Sequence, residues 1–177
     1  LPSSTSMTLT GGKIWGEVSE GFLSTLKNNL TAGGKTYRPV SLWVNWPVTD
    51  NSKQHLILGG GEKFLHPNVD PSLLSGIMLN PMQQSEPSKI ALFSGAQYSW
   101  KQWKSEEEAK KINDIAFNFV ENGHFEDSKV SAAFRELGKH MINQNMDNRV
   151  VKLEESVDLA PKLTDFMTKL KAGQDVT

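Results

Sequence analysis

Three short apolar runs, each halted by a strand-breaking residue, with a one-faced helical stretch between the first two, constrain this chain more than any other feature. Met7-Thr8-Leu9-Thr10 stops at Gly11-Gly12, Ser41-Leu42-Trp43-Val44-Asn45 at Trp46-Pro47, and Gly76-Ile77-Met78-Leu79-Asn80 at Pro81. Glycine has no side chain to pack and proline cannot donate to a ladder, so each run reads as a strand with a defined end. Between the first two, Val18, Phe22, Leu26 and Leu30 recur at every fourth position and are closed by Gly33-Gly34. That is the pattern of a helix with one apolar face and a glycine cap. Strand, helix, strand implies a crossover connection and a parallel sheet, so the expected fold class is α/β.

A further helix is expected from Ser85 to about Trp100, opened by Ser-Glu-Pro and carrying Ile90, Leu92, Phe93, Ala96 and Tyr98. It would cover the sheet after the third strand. Near residue 104 the composition changes: seven of the eight prolines and most of the glycines lie before it, and the remainder is charged and periodic. Two regions are therefore expected, 1–103 and 104–177. In the second, Ser105 with Glu108 reads as a capping box, followed by Ile112, Ile115, Ala116, Phe119 and Val120 and a stop at Gly123. Val130, Phe134, Leu137 and Met141 make a second stripe, and Leu163, Phe166, Met167 and Leu170 a third. Stripes of this period are expected to form the core of a small helical bundle.

The 177 residues can bury a core of ordinary size but are short for a complete (β/α)8 barrel, which takes about 250 residues. A net charge of -1 supplies no general attraction for nucleic acid or an anionic membrane, and neither is expected as a partner. With no cysteine, disulfide scaffolds, thiolate metal sites and cysteine nucleophiles are excluded. No apolar run approaches the length of a membrane span, and the first residues lack the pattern of a signal peptide.

His55, His66, His124 and His140 show no pair at the helical spacing of metal ligands, so no metal and no cofactor is expected. Gly59-Gly60-Gly61-Glu62-Lys63 lacks the ending of a phosphate loop and reads as a turn. Glu106-Glu107-Glu108 complements a helix N-terminus, and Glu154-Glu155 lies on a solvated face. Asn29-Leu30-Thr31 fits a glycosylation acceptor but falls inside the first helix and is discounted.

The stretch from Leu42 to Asp50 stands apart, because two tryptophans, an amide and a carboxylate gather where a strand breaks at a proline. In a barrel, side chains at the carboxyl ends of strands meet on one rim, and Asn80 ends the next strand. Indole faces with converging amide and carboxylate groups suit a sugar, whose C–H faces stack on aromatics while its hydroxyls take directional hydrogen bonds. The alternative is core tryptophans with an Asn and an Asp shaping turns.

The blocks Trp43-Val44-Asn45-Trp46-Pro47-Val48-Thr49-Asp50, Leu56-Ile57-Leu58-Gly59 and Leu79-Asn80-Pro81-Met82, with Glu86 and Ser88-Lys89-Ile90-Ala91, strongly resemble family-84 glycoside hydrolases. That family comprises bacterial hyaluronidase-like and O-GlcNAcase-type β-N-acetylglucosaminidases. Met7 to Gly12 and Ile14 resemble a strand of the same family ending in Thr-Gly. The resemblance implies that the three strands are the sixth to eighth of a (β/α)8 barrel and that the helical tail is the bundle that follows it. The chain departs from the family pattern at Val44, where a second aromatic is usual, and at Leu58-Gly59-Gly60, where Leu-Gly-Pro is usual.

The resemblance further implies a site for an N-acetylglucosamine-containing glycan. Asp50 and Asn80 would hydrogen-bond its hydroxyls, Asn45 would orient the sugar or its acetamido group, and Trp43 would wall the acetamido pocket. Thr10 and Ile14 would border that pocket. The family's reaction is retaining and substrate-assisted: the acetamido oxygen attacks the anomeric carbon, one Asp polarises the acetamido group, and a neighbouring Asp serves as general acid and then base. That pair stands at the end of the family's fourth strand, and none of the nine residues before Thr10 is acidic. The expectation is a recognition half without the catalytic pair, inactive by itself, completed by the N-terminal part of the same enzyme. A secreted or cell-surface bacterial location is implied by resemblance alone. The competing expectation is a stand-alone carbohydrate-binding or interaction module.

Overall fold

The computed structural model describes residues 2, 4–14, 16–50, 56–62, 64–141 and 159–176. His55, Glu154 and Glu155 lie outside them. The elements in chain order are β1 (Thr8–Leu9), α1 (Glu20–Thr31), β2 (Val40–Pro47), β3 (Leu74–Asn80), α2 (Ser85–Trp100), α3 (Glu106–Asn122), α4 (Lys129–Gly138) and α5 (Leu159–Lys171). The strands form one parallel sheet in the order β1-β2-β3, so consecutive strands are neighbours joined by crossovers. This mixed α/β arrangement agrees with the reading of strand, helix, strand.

Alternation along β2 sorts its residues cleanly. Val40, Leu42, Val44 and Trp46 are buried in the core, whereas Ser41, Trp43 and Asn45 face the other way. Helix α2 packs on β2 and β3, and Gly95 makes this possible, since a Cβ there would collide with the Leu79 side chain. The opposite face of the sheet is open: Trp43 and Met78, partners in the β2-β3 register, are each 43% exposed.

Local signals account for most helix ends. Ser19 caps α1 by accepting from the Phe22 N–H at 3.3 Å, and Gly33 and Gly34 follow that helix with positive φ. Val18, read as the first residue of the helical stripe, instead forms an isolated parallel bridge with Leu65, because the capping serine stops the helix short of it. Ser105 caps α3 as expected, but Glu108 accepts from the Lys104 N–H rather than from that of Ser105, so only half of the box is present. The complete box belongs to α4, between Ser128 and Ser131. Ser85 does not cap α2; the N-cap is Gln84, without a side-chain bond.

The core runs across the composition change at residue 104. Trp103, Ala109, Ala116 and Phe117 are buried in the same cluster as Leu42, Leu58 and Ile90. Buried Asn113 ties α3 to the rest, donating to Leu58 O at 3.2 Å and accepting from Ser94 Oγ at 3.2 Å. The inward face of α3 is therefore Ala109, Asn113, Ala116 and Phe117, whereas Ile115 and Phe119 are exposed, a correction to the expected stripe. Helical period identifies an apolar face but cannot say which part of it the neighbouring helix will cover. The third stripe needs a larger correction. Leu163, Phe166, Met167 and Leu170 of α5 are all about half exposed, so they are not a bundle core among the described residues. Lys162, at the start of α5, lies 3.9 Å from Glu136 of α4.

Candidate functional site

The site is built on the open face of the sheet at the carboxyl ends of the strands. Trp43 and Asn45 stand two apart on β2 and so share that face, and Met78 and Asn80 do the same on β3. The register shifts between Val44 and Pro47: Val44 pairs with Leu79, but Asn80 pairs with Pro47. Asn45 thus sits in an irregular stretch of β2, the kind of bulge that re-aims a side chain.

Asn45 is a hydrogen-bond hub. Its Oδ1 accepts from Trp43 Nε1 at 2.8 Å and from Asn80 Nδ2 at 3.0 Å, and its Nδ2 donates to the Ile14 carbonyl at 2.6 Å. One amide therefore joins both strands and the loop after β1. That loop is held tightly at its neck, where Gly16 N–H donates to Thr10 O at 3.2 Å. Gly11 has φ +79°, and a Cβ on it would meet the Gly16 backbone at 2.7 Å, so neither the conformation nor the space admits a side chain. The Ile14 side chain at the far end of the loop is 68% exposed.

The structure thus connects Trp43, Asn45 and Asn80 directly, Ile14 through its carbonyl, and Thr10 through the loop neck. Asp50 is exposed and lies beyond the end of β2, in a hollow of about 390 Å³ lined by Val48, Thr49, Gln83 and Gln84. Trp46 is removed from the candidate indole pair. It is 1% exposed, packs 5.2 Å from the Phe64 ring, and donates from Nε1 to Gly59 O at 3.0 Å. The glycine run after it is a turn, with Phe64 N–H and Leu65 N–H both donating to Gly61 O. Met78, Gln83 and Gln84 belong to this end of the sheet and were not anticipated as site residues. Met78 could have been found from its position two residues before Asn80, on the same strand face.

Among the described residues no three His, Asp or Glu side chains are grouped to hold a metal ion, and His66 instead stands 3.1 Å from Glu17. No helix among them is long and apolar enough to cross a membrane. What the cluster offers is neutral: an indole face, amide donors and an amide acceptor, with one carboxylate in the neighbouring hollow. Such groups bind and orient hydroxyls and amides; they do not by themselves move a proton.

The model of the β-N-acetylglucosaminidase family matches residues 1–139 of this chain. Among solved structures, CpGH84D is similar at 28% identity and a TM-score of 0.68, over 99% of this chain and 27% of that one. CpGH84B is similar at 23% identity and a TM-score of 0.60, over 96% of this chain and 27% of that one. A mutant of the Thermobaculum terrenum O-GlcNAc hydrolase is similar at 21% identity and a TM-score of 0.57, over 97% of this chain and 33% of that one. The last two similarities are of fold alone. The chain spans about a third or less of the length of these structures.

Proposed function

The chain belongs to the β-N-acetylglucosaminidases of glycoside hydrolase family 84, and from that membership we propose that it forms the sugar-recognition part of a retaining, substrate-assisted glycosidase. Its strands are the sixth to eighth of a (β/α)8 barrel, and the remaining strands, with the catalytic Asp pair, come from the preceding part of the enzyme. The terminal N-acetylglucosamine lies over the open face, with Trp43 against the acetamido group and Asn80 and Asp50 on ring hydroxyls. Thr10 and Ile14 border the acetamido pocket.

The observation that carries this reading is the preassembled Trp43-Asn45-Asn80 cluster on an open sheet face. Parallel sheets are ordinarily covered on both faces, and an open barrel wall is covered when the barrel closes. The outer edge of β3 supports the same partner. It borders a hollow of about 320 Å³ lined by Pro71, Leu74, Ile77, Tyr98 and Trp100, with the Trp100 side chain 90% exposed. Unpaired edges of this kind are templates for a further strand.

Two measurements test the proposal together: titration of the chain with N-acetylglucosamine, followed by tryptophan fluorescence, and hydrolysis of a chromogenic β-N-acetylglucosaminide. Binding without turnover by the chain alone, and turnover once the preceding part is supplied, is the expected result. Turnover by the chain alone would place an acid/base pair within it. Binding with no turnover in the complete protein would favour a carbohydrate-binding module, and no binding in either form would remove the sugar reading.

A further inference from the structure

We propose that Asn45 is a positioning residue that acts through Asn80, fixing the direction of its amide so that Asn80 meets a ligand hydroxyl as an acceptor. The proposal rests on the sugar reading of the site and adds the polarity of one contact. The argument begins with two groups whose polarity cannot change. An indole N–H only donates and a backbone carbonyl only accepts. Trp43 Nε1 lies 2.8 Å from one end of the Asn45 amide, and the Ile14 carbonyl lies 2.6 Å from the other. Asn45 can satisfy both in a single orientation, with Oδ1 toward Trp43 and Nδ2 toward Ile14.

Asn80 has no such freedom left either. Its near atom, 3.0 Å from Asn45 Oδ1, must be a donor, so it is Nδ2. The Asn80 Oδ1 is then turned away from Asn45, with one N–H beside it. Asn45 meanwhile has used both acceptor directions of its oxygen and one of its two N–H groups. One N–H remains to face a ligand, and the rest of its role in binding is carried by the indole and the amide that it holds. Regular pairing after Val44 and Leu79 would set Asn45 directly opposite Asn80; the bulge instead pairs Asn80 with Pro47 and leaves Asn45 in the irregular stretch, where its Oδ1 still accepts from Asn80 Nδ2.

The test is Asn80→Asp, a change that an ordinary acceptor would tolerate. Here it sets a carboxylate oxygen against Asn45 Oδ1, and only the protonated acid can donate across that gap. In the ligand-free chain, the substituted carboxyl should titrate at least about one pH unit above the ordinary value near 3.9 when followed by carbon NMR. Asp50 is the carboxylate in the neighbouring hollow, so the titration is repeated with Asp50→Asn also present. Affinity for N-acetylglucosamine should fall about tenfold at neutral pH and return as the acid protonates, while the unsubstituted chain shows no such recovery.

Asn45→Ala provides a second route if that variant does not fold: the Trp43 indole N–H resonance should move upfield as its acceptor is lost. The losses of Asn45→Ala and Asn80→Ala should also overlap in the double variant instead of multiplying. An ordinary or lowered carboxyl titration, an unmoved indole resonance or multiplying losses would each overturn the positioning role. Failure of the unsubstituted chain to bind the sugar would remove the sugar reading, while the ligand-free carboxyl and indole measurements would still decide the amide polarity.

Discussion

Trp43 and Trp46 stand three residues apart on one strand and face opposite sides of the sheet, the first 43% exposed and the second 1% exposed. Trp46 also donates to the carbonyl of Gly59, a buried residue, at 3.0 Å, which ties the strand to the turn that follows. Trp46→Phe leaves that carbonyl without its donor, at a cost of about 1–3 kcal/mol, beyond any loss of packing against Phe64. Trp43→Phe removes one bond to Asn45 at a half-exposed position and should cost about 0.5–1.5 kcal/mol. Urea unfolding of the two variants checks the order; equal losses would contradict it.

Asn113 is the polar link between α3 and the sheet side of the core. Asn113→Ala strips the Leu58 carbonyl of a donor and the Ser94 hydroxyl of an acceptor, both in buried surroundings. We expect a loss of about 1–3 kcal/mol in denaturant unfolding. A change near zero would mean that α3 does not contribute to the same cooperative unit.

Asp50→Ala probes the sugar reading at a point separate from the Asn45 cluster. Removing a charge-assisted hydrogen bond to a ring hydroxyl should weaken sugar binding by about 1.5–3 kcal/mol, with unfolding little changed because Asp50 is exposed. Isothermal titration of the variant against N-acetylglucosamine measures this directly, and unaltered affinity would remove Asp50 from the site.

The two tyrosines predict the alkaline limit of the fold. Burial pushes the Tyr98 phenol up to about 12, and its hydroxyl donates to His66 O at 2.8 Å. Burial, aided by the charge of Asp70, also raises Tyr37, whose hydroxyl donates to Leu73 O at 2.8 Å. Both folded values lie above the unfolded value near 10, so the folded state favours the neutral phenols. The stabilisation from each is fully present below about pH 10 and is lost as pH rises through its folded value, about 12 for Tyr98. Tyrosinate absorbance should therefore lag behind that of free tyrosine and rise together with unfolding. A native chain that ionises both phenols near pH 10 would contradict these assignments.

Several features of this protein were readable from residue order alone because they depend on local geometry. The ends of β1 and β3 follow from glycine and proline, whereas β2 continues through Trp46 and Pro47, and the caps at Ser105 and Gly123 follow from turn chemistry. The opposed facing of Trp43 and Trp46 follows from the period of two, although reading the tryptophans as one cluster obscured it. The family blocks around Asn45 and Asn80 likewise pointed to this end of the sheet. Tertiary structure decided what depends on partners distant in sequence. It selected Asn113 and Phe117 over Ile115 and Phe119 as the inward side of α3, left the α5 stripe exposed, and placed Trp46 in the core. It also made Asn45 a hub, since its partners come from three separate segments. Periodicity states which side chains share a face; only packing and register determine what that face meets.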